Sequence, residues 1–191
     1  MEYEKAIDIL TKTGALLKGH FLLTSGNHSE YYIQCAKLIS YPQFASEFFK
    51  DIAEHFKDFD IDTVVGPAIG GIIVSYGVAE HLNKRSIFLE REGGVFKLRR
   101  GFEIRKGERL LLVEDVITTG LSIMEVADIV SNMGGKIAGF ASIVNRSSGR
   151  FKPDAEYYYT VKMDFPIYPP EDCPLCKEGI PAVKPGSRNI S

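Results

Sequence analysis

Residues 110–122, LLLVEDVITTGLS, run from four large aliphatic residues into two adjacent carboxylates and then into hydroxyls and a glycine. The aliphatic part predicts a buried strand, and Glu114 and Asp115 fall at its carboxyl end, where open parallel sheets bind their ligands. An unpaired charge beside a hydrophobic interior is energetically costly. We therefore expect a group from outside the protein to pair with these two acids.

The second half of the same stretch predicts an anion-binding turn at the start of a helix. Backbone N–H groups at the helix N-terminus, together with the hydroxyls of Thr118, Thr119 and Ser122, would hold a phosphate. A ribose phosphate fits both halves, because its vicinal hydroxyls could donate to the two acids. The alternative is that the acids face solvent and Thr119 only caps the helix. The sequence contains neither a Walker phosphate loop nor a dinucleotide G-x-G-x-x-G motif.

The composition is that of a soluble globular protein. The 191 residues are 45% apolar and 25% charged, which predicts one domain spanning residues 1–191. The net charge of -2 comes without a polybasic block, which disfavours nucleic acid and membrane surfaces as partners. The acidic N-terminus, the lack of an apolar run of about 18 residues and the odd number of cysteines predict a cytoplasmic protein.

Strands alternate with helices through most of the chain. Strands are predicted at residues 62–67, 85–90, 108–115 and 136–145, and helices at residues 70–83 and 121–134. This alternation predicts an α/β fold with a central, mainly parallel sheet flanked by helices on both faces.

Other segments are predicted to lie around this sheet. Residues 1–19 predict an amphipathic helix and its exit, residues 19–36 two short strands, and Ser40 a cap on a helix through residue 56. Residues 91–108, rich in charge and glycine, predict a mobile loop or a protruding hairpin. The proline-rich tail, 165–191, is predicted to be irregular and, with residues 1–40, to form a small hood at the periphery.

The acidic stretch and its V-I-T-T-G continuation resemble the phosphoribosyl pyrophosphate (PRPP) signature of the type I phosphoribosyltransferases. Further segments are similar to the orotate members of that family, and the resemblance runs from Gly14 to Arg188. These segments are GHFLLTSGNHSEYY (19–32), VVGPAIGGI (64–72), ERxxGxxxLRRGF (90–102), VNR (144–146) and CPLCKEGIPAVKPGSR (173–188).

The resemblance implies an enzyme that transfers the 5-phosphoribosyl group from PRPP to orotate, giving orotidine 5'-phosphate and pyrophosphate in pyrimidine nucleotide synthesis. It also implies a homodimer and Mg²⁺ as cofactor, held mainly through PRPP and water. Two alternatives stay open: transfer to another base, such as uracil or a purine, and a regulator that senses PRPP without catalysis. A regulator would be expected to carry a basic nucleic-acid-binding extension, and this sequence has no such basic excess.

The resemblance assigns PRPP binding to the acidic stretch and to a glycine turn before a second helix. The residues are Glu114, Asp115, Val116, Ile117, Thr118, Thr119, Gly120, Leu121, Ser122, Ala68, Ile69 and Gly70. Glycines in the turn let backbone N–H groups approach a pyrophosphate, and the family often has a cis peptide there, corresponding to Ala68–Ile69. An ordinary strand-to-helix turn is the alternative. Many bacterial relatives have a lysine at the Gly70 position, so that contact is missing here.

Catalytic roles are implied for Asp115 and for Arg91 and Lys97 on the charged insertion. That insertion would close over the departing pyrophosphate, and in relatives it reaches into the neighbouring subunit's active site. The insertion lacks the two lysines and the histidine that many relatives carry on a longer loop. The alternative is a solvated surface hairpin.

Orotate binding is implied for Thr118 and Arg146, the latter as a planar fork for a carboxylate or carbonyl. Tyr32 would stack on the pyrimidine ring, and Ser25 would offer backbone groups to its edges. The alternatives are a core aromatic at Tyr32 and a merely exposed strand end at Arg146. Several relatives have a lysine at the Thr24 position, which this sequence lacks.

No protein metal site is expected from the sequence. Cys173 and Cys176 have zinc-like spacing, but a structural zinc site needs four ligands and only Cys35 remains. A dimer could share ligands, although simple packing of the tail is the favoured interpretation. The histidines show no metal-ligand spacing and are expected to be surface or hydrogen-bonded residues: His20, His28, His55 and His81.

Overall fold

The computed structural model describes residues 1–23 and 25–185, so the predictions that involve Thr24 and Arg188 lie outside the described residues. In chain order its helices and strands are α1 (Tyr3–Lys12), β1 (Leu16–Leu22), β2 (His28–Ile33), α2 (Cys35–Ile39), α3 (Pro42–Phe56), β3 (Thr63–Pro67), α4 (Gly70–Leu82), β4 (Arg85–Glu92), β5 (Val95–Leu98), β6 (Arg109–Ile117), α5 (Leu121–Asn132), β7 (Lys136–Asn145), β8 (Tyr157–Lys162), β9 (Ile167–Tyr168) and α6 (Pro174–Lys177). No helix in this described part is long and apolar enough to cross a membrane.

Six strands form the main sheet, in the order β5-β4-β3-β6-β7-β8. All neighbours are parallel except β5, which returns antiparallel along β4. The predicted α/β class with a mainly parallel sheet is therefore confirmed. The strand β8 was not predicted; its tyrosine-rich sequence pairs with β7 at the edge of the sheet.

The aliphatic run in β6 supplies both faces of the sheet. Leu111 and Val113 pack on the side of α1, α3 and α4, whereas Leu110 and Leu112 pack on the side of α5. Side chains alternate along a strand, so a strand covered on both sides must be apolar at every position. Each of these fully buried leucines contributes about 1.5 to 3 kcal/mol to folding.

The prediction that Ser40 caps the third helix is wrong. Ser40 instead ends α2, a short helix that the sequence did not indicate, and its hydroxyl donates to the Lys37 carbonyl at 2.7 Å. The following helix starts at Pro42, where the missing N–H costs nothing and the fixed φ suits the first turn.

Residues 91–108 begin as a β-hairpin, the second of the two structures predicted for them. Strands β4 and β5 pair through the register Glu92 with Val95 and Leu89 with Leu98. Gly93 and Gly94 connect the strands with φ of 62° and 88°, a conformation that two-residue hairpin turns require and that glycine adopts without strain.

The C-terminal tail has more regular structure than its prolines predicted. Strand β9 extends the β1-β2 hairpin into a three-stranded sheet, pairing Ile167 with Ser29 and Tyr168 with His28. A 3-10 turn (Pro170–Asp172) and α6 follow. Prolines stand at the first turn of each, where they are compatible with a helix, and the open edge of β2 offers hydrogen bonds to the tail.

Candidate active site

The acidic pair lies where the strand order of the main sheet reverses, between β3 and β6. These two strands run parallel, with Val65 opposite Leu112, so their carboxyl ends open on the same crevice. In open α/β sheets ligands bind in the crevice at such a reversal. The turn after β3 lies directly against Asp115: a Cβ atom on Gly70 would lie 2.5 Å from Oδ2 of Asp115.

The carboxyl groups of Glu114 and Asp115 are half-buried, and their surroundings disfavour a negative charge on both groups at once. Burial raises the pKa of Glu114 well above its usual range, and the neighbouring Asp115 charge adds to this. Burial also raises the pKa of Asp115, although its Oδ1 accepts a hydrogen bond of 2.8 Å from the Val116 N–H. A ligand that brings hydroxyl donors or positive charge would relieve this cost.

A pocket, called the acidic pocket below, follows Glu114 into the start of α5. It is lined by Glu114 and residues 116–123. The Thr119 hydroxyl accepts from the Leu121 N–H at 3.4 Å, and Gly120 begins the helix with φ of 80°. A side chain at Gly120 would be strained and would also lie 2.2 Å from the Phe151 ring. Residues 118–122 at this helix N-terminus line the pocket, which suits an anion.

The turn between β3 and α4 packs closely against itself and against Asp115. The peptide bond between Ala68 and Ile69 is cis, as the resemblance implied. A Cβ on Gly66 would lie 2.2 Å from the Gly71 carbonyl oxygen, so the two glycines allow this close approach. Ala68, Ile69 and Gly70 do not line the acidic pocket itself; they stand at the neighbouring strand end.

A second pocket, the hood pocket, lies between the β1-β2 hairpin, the tail and the acidic pocket. It brings together all four predicted orotate-binding residues with eight others. The lining residues are Leu22, Leu23, Ser25, Asn27, Tyr32, Thr118, Thr119, Arg146, Arg150, Ile167, Lys184 and Pro185. Thr118 and Thr119 also line the acidic pocket, so the two pockets share a wall.

Two cations of the hood pocket, Arg150 and Lys184, were missed by sequence reasoning. Arg150 follows the VNR segment, and Lys184 lies in the tail segment already singled out, but neither has a motif of its own. Tail pairing with the hairpin is what brings Lys184 to the pocket: Val183 donates to the His20 carbonyl and accepts from the Leu22 N–H, at 2.8 and 2.9 Å. Only the tertiary contacts identify Arg150 and Lys184 as residues of this pocket.

Arg146 is held directly after the carboxyl end of β7, next to the end of β6. Its N–H donates to the Ile117 carbonyl at 2.7 Å, and its guanidinium carbon lies 6.0 Å from the Phe165 ring centre. Burial lowers the pKa of Arg146 from its usual range, although guanidinium groups remain charged in proteins. A half-buried, charged fork beside a half-buried Tyr32 suits a planar anionic ligand.

Arg91 and Lys97, the cations of the β4-β5 hairpin with predicted catalytic roles, interact with residues of their own chain. Arg91 donates to the Gly94 carbonyl and to Glu125 of α5, and its guanidinium lies 3.9 Å from the Phe96 ring centre. Lys97 pairs with Glu92 at 2.7 Å. Neither residue lines the acidic or hood pocket. The structure therefore brings the other predicted site residues to one crevice, but leaves these two outside it.

The histidines are hydrogen-bonded, as expected, but two of them are not on the surface. His55 contacts Glu156 and His81 contacts Ser46, at 2.9 and 3.0 Å. His20 and His28 are buried and lie beside Cys173 and Cys176, a grouping that counting cysteines could not reveal.

Comparison with known proteins agrees with this geometry. Residues 43–169 match the family model described as the phosphoribosyl transferase domain. Orotate phosphoribosyltransferase of Caldanaerobacter subterraneus subsp. tengcongensis is 52% identical over 190 residues, covering 100% of both chains. That of Thermotoga maritima is 50% identical over 183 residues, covering 96% of this chain and 98% of its own.

Solved structures show the same fold. The orotate phosphoribosyltransferase of Mycobacterium tuberculosis H37Rv, in complex with PRPP, superimposes with a TM-score of 0.67 at 23% identity, covering 83% of this chain and 96% of its own. With the family model and the full-length relatives, the conclusion is direct: this chain belongs to the phosphoribosyltransferase family, among the orotate phosphoribosyltransferases.

Proposed function

We propose that the chain transfers the phosphoribosyl group of PRPP to orotate, forming orotidine 5'-phosphate and pyrophosphate. The observation that carries this proposal is the wall of Thr118 and Thr119 shared by the two pockets. A sugar phosphate in the acidic pocket and a base in the hood pocket would meet across that wall. Two relatives named for this activity are 52% and 50% identical to this chain, and the matches cover 100% and 98% of their own lengths.

The acidic pocket provides for the ribose and its 5'-phosphate. Glu114 and Asp115 would accept hydrogen bonds from the vicinal ribose hydroxyls, which relieves the cost of their burial. Residues 118–122 would hold the 5'-phosphate through backbone N–H groups and hydroxyls at the N-terminus of α5. The turn at residues 68–70, beside Asp115, would face the pyrophosphate.

Transfer needs no nucleophile from the protein. The bond between the anomeric carbon and the pyrophosphate oxygen breaks, with its electron pair leaving on pyrophosphate, and the orotate ring nitrogen forms the new bond. The protein orients the two reactants and stabilises the developing charges. Arg146 would bind the carboxylate of orotate, with Tyr32 against the ring and Ser25 at its edge.

Mg²⁺ fits the donor atoms of this crevice, since the carboxylates beside the acidic pocket offer the oxygen ligands that this ion prefers. We propose that it is held chiefly through PRPP oxygens and water, near Asp115. When bound, it would neutralise charge on the pyrophosphate.

The active form is proposed to be a homodimer. Ile73 and Tyr76 on α4, and Ile69 before it, are exposed by 44%, 66% and 83%, an apolar surface that a second copy could cover. Arg91 and Lys97, which lie outside their own chain's pockets, would then serve the partner's site. The unbridged cysteines suit a reducing, cytoplasmic setting.

The reaction is tested by mixing purified protein with PRPP, Mg²⁺ and orotate while following orotate absorbance and pyrophosphate release. Uracil, adenine, guanine and hypoxanthine are run in parallel with product chromatography. Loss of orotate with equal release of pyrophosphate supports the proposal. Transfer only to another base contradicts the role of Arg146, and no transfer to any base favours a PRPP-sensing regulator.

The sugar site is tested separately with Asp115→Asn. Turnover should fall on the order of 100-fold or more, because a ligand-facing charge is lost, while the variant stays folded because no core volume is removed. Near-normal turnover would contradict the assignment of the acids to the ribose.

A further inference from the structure

We propose that His20, His28, Cys173 and Cys176 form a zinc site that fastens the C-terminal tail to the β1-β2 hairpin. One ligand atom from each of these residues lies within 4.8 Å of all the others. The donor set, two imidazoles and two thiols, is that of structural zinc sites. These residues have no part in the proposed transfer reaction.

Three of the six distances between the four atoms are comparable with those around a tetrahedral zinc ion. Nε2 of His20 lies 2.8 Å from Nδ1 of His28 and 3.4 Å from Sγ of Cys173, and Sγ of Cys176 lies 3.2 Å from the same His28 nitrogen. Bond lengths of about 2.0 Å to nitrogen and 2.3 Å to sulfur place tetrahedral ligand atoms about 3.3 to 3.8 Å apart. A small outward movement of the imidazoles would therefore complete the site.

The hydrogen bond behind His20 prepares it as a ligand. Nδ1 of His20 lies 2.6 Å from the Ile180 carbonyl oxygen, which can only accept, so Nδ1 carries the proton. In the neutral imidazole with this tautomer, Nε2 has no proton and presents its lone pair to the centre of the cluster. Imidazole ligands of metals are commonly oriented by such a bond to a carbonyl.

Burial indicates a closed structural site rather than an open catalytic one. Cys173 is fully buried, and His20 and His28 are 4% and 8% exposed; Cys176 alone is exposed and covers the cluster. Cys173 is the N-cap of α6 and Cys176 lies within its first turn, so the spacing C-x-x-C brings both sulfurs to the same side. Four ligands leave no position open for a substrate.

The site would hold the tail in position for the hood pocket. His20 and His28 stand on β1 and β2, whereas both cysteines precede the segment that pairs Val183 with the hairpin. The next two residues, Lys184 and Pro185, line the hood pocket. This consequence for the pocket rests on the proposed function; the metal site does not.

The test is the zinc content of full-length protein, reconstituted with ZnCl₂ under reducing conditions, desalted and measured by elemental mass spectrometry. We expect about one zinc per chain, with release of the two thiol protons on uptake. Cys176→Ser, chosen because Cys176 is exposed, and His28→Ala should each retain less than about a tenth of the metal. The matched controls Cys35→Ser and His81→Ala, outside the cluster, should retain it.

Cobalt provides a second measurement that does not depend on enzyme activity. Co²⁺-loaded protein should show the visible absorption of a tetrahedral cobalt site with thiolate charge transfer, and this should be absent in Cys176→Ser. The proposal is overturned if wild-type protein takes up no stoichiometric zinc, if Cys176→Ser keeps it, or if Cys173 and Cys176 instead form a disulfide under these conditions. Because no substrate is used, failure of the transfer reaction would leave this result unaffected.

Discussion

Gly70 packs against Asp115 so closely that a Cβ atom on the glycine would lie 2.5 Å from Oδ2 and 2.6 Å from Cγ of the carboxylate. The turn after β3 thus limits where the Asp115 side chain can lie. A larger residue at position 70, such as the lysine of many bacterial relatives, requires that carboxylate to shift.

Gly70→Ala should therefore damage catalysis more than stability. The added methyl group displaces the Asp115 carboxylate, and the ribose that this carboxylate is proposed to hold is then misplaced. A misplacement near 1 Å lowers the rate on the order of 100-fold. We expect kcat/KM for PRPP to fall by about that factor, while Tm stays close to wild type because the atoms nearest the added methyl group belong to the Asp115 carboxylate rather than to a core side chain. Steady-state kinetics and thermal melting measure the two effects. Wild-type kinetics would show that Asp115 adapts at no cost.

Glu114→Gln should stabilise the ligand-free protein, and more so as the pH rises. The pKa of Glu114 is raised in the fold, so its contribution to stability is fully present below the unfolded value of about 4.3 and is lost as pH rises through the folded value. Glutamine avoids that loss. The Tm difference between variant and wild type should therefore be larger at pH 8 than at pH 4.5, although turnover falls.

The control for this measurement is Glu90→Gln. A side-chain hydrogen bond from Arg100 lowers the pKa of Glu90, so its stabilising effect is present above the unfolded value and lost as pH falls. Its replacement should lower Tm at pH 8, the opposite sign. If both variants shift Tm in the same direction, burial of Glu114 does not control the effect.

Lys184→Gln should raise the KM for orotate without a comparable effect on the KM for PRPP. Lys184 is exposed at the hood pocket, and an exposed ion pair contributes up to about 1 kcal/mol, which corresponds to about fivefold. The matched control, Lys177→Gln on α6, does not line that pocket and should leave both constants unchanged. An unchanged orotate KM in Lys184→Gln would remove this lysine from the base site.

Mixing two inactive variants tests whether Arg91 and Lys97 serve the partner's site. A dimer of Asp115→Asn with Lys97→Ala would contain one site carrying both changes and one carrying neither, if the hairpin acts across the dimer. Random reassortment makes half of the dimers mixed, so about a quarter of wild-type activity should return. If the hairpin acts on its own chain, every site keeps one defect and mixing restores nothing.

The sequence alone was enough for the parallel strands β3, β4, β6 and β7, and it placed the acids and hydroxyls at the carboxyl end of β6, because these signals are local. The apolar run of residues 110–113 can be stable only in a strand covered on both faces, and the acids and hydroxyls that follow it in the chain are delivered to the same strand end. A protruding hairpin was one of the two structures predicted for residues 91–108, and Gly93 and Gly94 form its turn because positive φ favours glycine.

Only the tertiary structure decided how the tail contributes. Lys184 reaches the hood pocket, and Cys173 reaches His20, across more than 150 residues of chain, through strand pairing with the open edge of the hairpin. Ser40 shows the same limit at short range, because a serine before a proline-led helix can also end the preceding one. Local patterns report local hydrogen bonding and burial, whereas contacts between distant segments depend on packing that no spacing in the chain encodes.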